Sequence, residues 1–244
     1  MIFPNHMASM PVSSVVVLTG AGISAESGVG TFRDNGGLWE NHRIEDVATP
    51  TAWQNNPELV WNFYQTRRRQ LLEVEPNLAH IALSKLEDDV KEFTLITQNV
   101  DDLHERGGST NVFHMHGRLR TLRCEISQKH EERMKKDDLG DDFLLCNCCV
   151  ESNRLRPDIV WFGEMPMHLE EIYEAVENCD YFIVIGSSGH VYPAAGLVNI
   201  ANSCGAKTIL INFDSPANAS EFDEIHLGKA GEILPDLVNS WLSE

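Results

Sequence analysis

Several short stretches of this sequence carry groups whose type and spacing suit chemistry. Gly20-Ala21-Gly22-Ile23-Ser24 follows a run of β-branched residues. Glycines in such a turn let backbone N–H groups approach a pyrophosphate, and a helix N-terminus behind them adds partial positive charge. The spacing departs from the usual dinucleotide fingerprint, because Glu26 and Ser27 follow Ala25 at once. Further along come Thr31-Phe32-Arg33, Gln98-Asn99-Val100-Asp101, His114-Met115-His116-Gly117, Trp161-Phe162-Gly163-Glu164, Gly186-Ser187-Ser188-Gly189 and Asn212-Phe213-Asp214. Tyr64-x-x-Arg67 sits in a stretch that reads as helix, so phenol and guanidinium share a face. Together they suit a carboxylate, with Arg67 as a bidentate fork and Tyr64 through its hydroxyl. Cys124, Cys146, Cys148 and Cys149 cluster, whereas Cys179 and Cys204 stand alone. In a chain without an export signal, such a cluster points to metal before disulfide.

The elements that must position these groups follow from hydrophobic patterning. Ser14 to Thr19, Phe93 to Thr97, Tyr181 to Ile185 and Thr208 to Ile211 are short, nearly continuous apolar runs, the mark of parallel strands buried on both faces. Helical stretches separate them: Pro57 to Leu72, Pro76 to Asp89, Leu169 to Glu177, Ala194 to Ser203 and a closing Ala230 to Leu242 despite Pro235. Strands alternating with helices predict an α/β, Rossmann-like doubly wound parallel sheet. Right-handed crossovers put the carboxyl ends of the strands on one edge, where ligands bind. Most of the motifs above fall just past a strand. Two segments break the alternation and read as a smaller inserted module, about 31–75 and about 119–158. The core then takes about 12–30, 76–118 and 159–244.

Composition excludes several classes. At 244 residues and 42% hydrophobic, the chain buries enough surface to hold a core without disulfides. No apolar run approaches a membrane span. Met1 to Met10 lacks the basic and long apolar regions of a signal peptide and reads as an extension outside the fold. A formal charge of −18 argues against general nucleic-acid binding, which needs clustered Lys and Arg. The expected compartment is the cytoplasm.

The ordered motif set, from about Val15 to about Val238, resembles the sirtuins, NAD-dependent protein lysine deacylases. The resemblance implies that Gly20, Ala21, Gly22, Ser24, Thr31, Phe32, Arg33 and Trp39 hold the NAD pyrophosphate and the cofactor loop. Gln98 and Asn99 then face the nicotinamide ribose, and Asp101 holds the carboxamide. Gly186, Ser187 and Ser188 cradle phosphate and ribose, while Asn212, Asp214 and Ala230 line the adenosine end. Val160 to Glu164, with Phe162 and Gly163 among them, and Gly189 to Tyr192 clamp the substrate peptide as an added strand. Such pairing uses main-chain bonds and tolerates many sequences.

His116 is implied as the catalytic base. Loss of nicotinamide leaves an oxocarbenium-like ribose that a weak acyl oxygen can attack, and the reaction advances only if a ribose hydroxyl loses its proton. A neutral imidazole suits that step. Gly117 leaves room for the ribose beside the ring, and His114 reads as structural. Cys124, Cys146 and Cys149 resemble three corners of the family's structural zinc module. Ser127 stands where a fourth cysteine belongs, so His130 or Cys148 supplies the fourth ligand or the site is degenerate.

Tyr64 and Arg67, with the small Ala48, resemble the class III subgroup that removes succinyl and malonyl groups. The expected partners are acylated lysine side chains of proteins, with no nucleic acid and no membrane. Competing readings are protein ADP-ribosyl transfer, which shares nicotinamide cleavage, and an inactive NAD-sensing module.

Overall fold

The computed structural model describes residues 14–30, 38–39, 42–131 and 139–243. Thr31, Phe32 and Arg33 lie outside the described residues, as do the side chains of Trp39 and His130. The strands are β1 (Ser14–Thr19), β2 (Leu38–Trp39), β3 (His42–Arg43), β4 (Glu92–Thr97), β5 (Val112–His114), β6 (Gly117–Cys124), β7 (His130–Glu131), β8 (Leu155–Ile159), β9 (Tyr181–Ile185), β10 (Lys207–Asn212) and β11 (Glu224–Leu227). The α-helices are α1 (Ile44–Val47), α2 (Pro50–Asn55), α3 (Pro57–Leu71), α4 (Leu78–Asp89), α5 (Leu103–Arg106), α6 (Leu169–Glu177), α7 (Leu197–Cys204) and α8 (Ala230–Trp241).

Six strands form one parallel sheet in the order β11-β10-β9-β1-β4-β5. Its centre explains the unbroken apolar runs. Val15 and Val17 of β1 point into a core shared with Leu83 and Leu86 of α4 and Leu234 and Val238 of α8. Val16 and Leu18 point the other way, into a core with Ile172 and Val176 of α6 and Leu197 and Val198 of α7. Both faces are covered, so alternation with polar residues disappears. From β1 the chain runs outward through β4 and β5, then returns to the opposite side of β1 for β9. That reversal opens a crevice at the carboxyl ends of β1 and β9.

A second layer is built from the interrupting segments. β7-β6-β8 make a small antiparallel sheet. Val60, Trp61 and Phe63 of α3 share a core with Leu122, Cys124, Cys146 and Leu155. Caps fix where these helices start. Asn56 accepts from the Leu59 amide with Pro57 in the first turn, and Thr49 accepts from the Ala52 amide before α2. No helix among the described residues is long and apolar enough to cross a membrane.

Candidate active site

A cavity of about 990 Å³ runs along the carboxyl edge of the parallel sheet and under the second layer. Gly20, Ala21, Gly22, Ser24, Gln98, Asn99, Asp101, His116, Gly186, Ser187, Ser188, Asn212, Asp214 and Ala230 all line it. So do Ala48, Tyr64, Arg67, Val160, Phe162 and Gly163. Motifs separated by most of the chain's length therefore meet in one space. Its size lies at the upper end of the roughly 300–1,000 Å³ of ligand pockets, enough for an extended ligand.

The glycine turn is built differently from the sequence expectation. The Gly20 amide donates to the Ile185 carbonyl and the Gly22 amide to the Gly186 carbonyl, both at 2.9 Å. A Cβ on Gly20 or Gly22 would lie 2.8 or 2.7 Å from backbone atoms of Gly186 or its neighbour. These glycines are required first by the close approach of two turns. Two 3-10 turns, Ala21–Ile23 and Ala25–Ser27, follow instead of an α-helix, so no long helix dipole backs this loop.

Behind the turn lies a buried polar floor. The Asn99 side-chain amide donates to the Gly20 carbonyl at 3.2 Å and to Ser24 Oγ at 3.1 Å. Ser24 Oγ donates to Asp101 Oδ2 at 3.0 Å, and the Leu103 amide donates to Asp101 Oδ1 at 3.1 Å. Burial pushes the Asp101 carboxyl above the usual range, against the pull of those two donors. His80 Nε2 lies 3.5 Å from Ser24 Oγ. The His80 ring also accepts the Asn77 amide on Nδ1 at 3.2 Å, closing a capping box at the start of α4. That bond puts the His80 proton on Nε2. Burial holds the imidazole down to about 4.

His116 sits in the turn from β5 to β6. Its Nδ1 lies 3.0 Å from the Gln98 carbonyl oxygen, which can only accept. Nδ1 therefore carries the proton and Nε2 keeps its lone pair, the tautomer a base requires. Burial lowers the ring below its ordinary value, partly offset by the Gln98 carbonyl. The next residue corrects an expectation: Gly117 has φ +84°, and a Cβ there would fall 2.0 Å from the Asp158 carbonyl. The approach of β8 demands this glycine, rather than space for a ribose. His114 does not line the cavity; its ring lies 2.8 Å from Glu105 Oε1 and 3.3 Å from the Asn99 carbonyl.

At the other end, three consecutive arginines of α3 have different fates. Arg68 is fully buried, donates to the Leu119 carbonyl at 2.7 Å and to Gln65 at 2.9 Å, and is lowered to about 9 by burial. Arg69 pairs with Asp141 at the surface. Arg67 alone of the three lines the cavity, its guanidinium 4.2 Å from the Phe63 ring centroid and its Nη1 donating to the Phe63 carbonyl at 3.1 Å. Tyr64 is buried beside it and accepts the Trp161 indole N–H at 3.0 Å.

Ala48 closes α1, and its carbonyl accepts the Phe162 amide at 3.0 Å. The Val160 amide donates to the His116 carbonyl at 2.9 Å, so the loop after β8 is stitched to the turn bearing His116. Gln98 and Asn212 side chains donate to the Ser187 hydroxyl and carbonyl, at 3.0 and 3.1 Å, ordering the turn after β9.

The four clustered thiols fit a metal. Cys124, Cys146, Cys148 and Cys149 present sulfurs all within 4.8 Å of one another. Cys124 and Cys149 are 3.7 Å apart, and Cys148 and Cys149 3.8 Å. Four sulfurs about 2.3 Å from a tetrahedral zinc lie at such separations. Cys148 thus completes the set, with the Ser127 hydroxyl 3.0 Å from its sulfur. None of the four cysteines lines the cavity, which suits a structural metal rather than a catalytic one.

Two acidic groups do structural work that their motifs did not specify. Glu26 accepts the Gly231 amide at 2.8 Å, fastening the glycine turn to the N-terminus of α8. Glu164 accepts from Arg156 at 2.6 and 2.9 Å, from Arg123 at 3.1 Å and from the Trp161 amide at 2.9 Å, which locks the loop after β8. An acidic residue inside a glycine turn was the only signal for the first. The second falls in the segment expected to clamp the substrate peptide, and its side chain is spent on the protein's own arginines.

The model of the Sir2 family matches residues 20–193. A Vibrio cholerae serotype O1 protein named NAD-dependent protein deacylase is 53% identical over 238 residues, covering 96% of each chain. A Vibrio vulnificus protein of the same name is 51% identical over the same length and coverage. The crystal structure of a Sir2 homolog–NAD complex superposes with a TM-score of 0.85 at 41% identity, over 95% of this chain and 90% of that one.

Proposed function

The chain belongs to the Sir2 family, and from that premise we propose that it is an NAD-dependent protein lysine deacylase with His116 as its base. The observation that carries the reading is the tautomer of His116. The Gln98 carbonyl takes the Nδ1 proton and leaves a basic Nε2 on a ring that lines the cavity. NAD, when bound, would supply an anomeric carbon that gives up nicotinamide and takes the acyl oxygen, after which water would replace the lysine nitrogen, so that free lysine leaves and the acyl group ends on ADP-ribose. The name of the relatives and the NAD-bound neighbour support this class.

The residues divide the work. Asp101, buried and oriented by Ser24 and the Leu103 amide, accepts the carboxamide N–H of nicotinamide. Asn99 and Gln98 hold the ribose hydroxyls within reach of His116 Nε2, which removes one proton. The turns at Gly20 to Ser24 and Gly186 to Ser188, with Thr31, Phe32, Arg33 and Trp39, hold the pyrophosphate side, and Asn212, Asp214 and Ala230 the adenosine. Val160, Phe162 and Gly163 pair with the substrate backbone. In this reading residues of about 12–30, 76–118 and 159–244 are the nucleotide-binding core, with about 31–75 and 119–158 as the smaller module.

The substrate class extends to acidic acyl groups, succinyl and malonyl. Tyr64 and Arg67 offer a phenol and a cation at the inner end of the cavity, where an unpaired carboxylate would be costly. Ala48 adds width. The test is nicotinamide release with and without an acylated lysine peptide, in the parent and in His116→Ala. Release that depends on the peptide and is lost in the variant is expected. Release without peptide, with ADP-ribose attached to protein, would overturn the reading.

A further inference from the structure

Among the described residues two arginines are buried, Arg68 of α3 and Arg156 of β8. A buried charge is costly unless a counter-charge and hydrogen bonds offset it. Arg156 meets that condition through a two-point contact with Glu164, at 2.6 and 2.9 Å. Arg68, at 0% exposure the more deeply buried of the two, does not. Its Nε donates to the Leu119 carbonyl at 2.7 Å and its Nη1 to the Gln65 side-chain oxygen at 2.9 Å. The Trp61 ring centroid lies 5.3 Å from the guanidinium carbon. These three partners are neutral, and Nη2 is buried with no hydrogen-bond partner among the described residues. Dipoles steady the cation, but no carboxylate among the described residues pairs with it. Carboxylates are not scarce, since the chain carries 37 acidic residues against 19 basic ones. The next residue, Arg69, has Asp141 at 2.9 Å.

The position of this charge is as telling as its lack of a counter-ion. Leu119, whose carbonyl holds Arg68, lines the cavity. Leu119 is therefore wall on one side and anchor for the guanidinium on the other. Tyr64, one helical turn before Arg68 on the same face of α3, lines the same end, as does Arg67. Arg68 itself stays behind that wall and meets no ligand. Through packed protein a charge is felt more strongly than through water, and salt screens it little.

Resting on the carboxylate reading of Tyr64 and Arg67, we propose that Arg68 is a specificity-determining residue that acts through its field: a buried guanidinium, left without a counter-ion behind the cavity wall, for which an acidic acyl group supplies the missing negative charge. Arg67 makes the contact with the carboxylate and Arg68 sets the potential into which it moves. An acetyl group carries no charge and gains nothing from that potential. The same neutral surroundings that make Arg68 expensive in the free protein make an anion at the inner end of the cavity welcome.

The experiment compares kcat/KM for a succinyl-lysine peptide and its succinamoyl counterpart, a carboxamide of the same length without the charge. Arg68→Met keeps the apolar stem and removes the cation. The succinyl-to-succinamoyl ratio should fall about 5- to 15-fold, as for unit charges on the order of 10 Å apart at an effective dielectric of about 20. The loss should lie in KM for the succinyl peptide, because the charge is present in the ground and transition states alike. Arg68→Gln, which keeps a donor for the Leu119 carbonyl, should lower the ratio by a similar factor, and it carries the test should Arg68→Met fail to fold. A merely structural role would lower both substrates alike, and a ratio unmoved in either folded variant overturns the proposal.

Arg67→Met, measured in parallel, separates the two levels. If it leaves the succinyl preference intact, the carboxylate reading falls and the Arg68 assignment with it. If it abolishes the preference while the Arg68 replacements do not touch the ratio, only the Arg68 assignment falls.

Discussion

Replacing Arg67 by Met tests the substrate class at its most exposed point. The side chain is half-buried, steadied by the Phe63 ring beneath its guanidinium at 4.2 Å and by a bond to the Phe63 carbonyl at 3.1 Å. Met keeps the apolar stem against Phe63 and removes the charge. Two unit charges about 4 Å apart interact by about 4 kcal/mol at the effective dielectric of a protein surface. Removing one partner of a close, hydrogen-bonded charge pair costs about 2–5 kcal/mol. Water reaches one side of Arg67, so the lower part of that range applies, about 2–3 kcal/mol, or about 30- to 150-fold in kcat/KM. The acyl carboxylate is remote from the reacting carbonyl, and its pairing is the same in the ground and transition states. The loss should therefore appear mainly in KM. Acetyl-lysine has no carboxylate and should change only a few-fold. The assay is kcat/KM for matched succinyl and acetyl peptides in parent and variant. An equal fall on both substrates would refute the reasoning and make Arg67 a residue that supports the helix or the peptide.

Other expectations follow from the same geometry. His116→Ala should bind NAD, fold, and lose about 10²- to 10⁴-fold in deacylation; in the parent, kcat/KM should rise with pH along a limb centred below 6.5, because burial lowers the pKa of the base, and a limb above 7 would contradict the neutral imidazole. Between pH 6.5 and about 4 the unfolded chain takes up a proton that buried His80 refuses, so stability should fall through that window and level off below it. His80→Gln, which keeps an acceptor for Asn77 and a donor for Ser24, should recover about 2–3 kcal/mol of the loss measured by urea unfolding at pH 4.5 relative to pH 7.5; equal acid losses in the two proteins would sink the point. Metal analysis of protein purified without chelator should find one zinc per chain, and Cys148→Ser should lower that occupancy; an unchanged stoichiometry would exclude Cys148 as the fourth ligand.

The sheet was legible because its strands carry their own evidence. Val15 to Leu18 face apolar cores on both sides, so the run needs no partner to be read as a buried parallel strand. The crevice followed from connectivity, since the chain reverses at β1. What could not be read was contact between distant backbones. Gly117 is glycine because of the Asp158 carbonyl, and Gly20 and Gly22 because of Gly186. Neither constraint has any local signature. The same holds for Glu26 reaching Gly231, and for the division of labour among Arg67, Arg68 and Arg69, which depends on which face of α3 meets β6. The expected helix behind the glycine turn failed for a related reason. Short turns that must lie against Gly186 leave no length for one.

The way His116 is oriented bears on the chemistry it can do. In a serine-protease triad a carboxylate orients the imidazole and stabilises the cation that forms. Here the partner of Nδ1 is the carbonyl of Gln98, a dipole at the end of β4. A carbonyl fixes the tautomer as firmly as a carboxylate does, but it stabilises the imidazolium far less. Burial then outweighs it and lowers the ring's pKa. In the proposed reading the lowered pKa favours the neutral ring that a base needs, at the cost of some basicity. In that reading such a base is matched to a ribose hydroxyl made more acidic by positive charge nearby, which departure of nicotinamide would provide. The group that orients the ring is a backbone carbonyl, so no side-chain substitution can remove it.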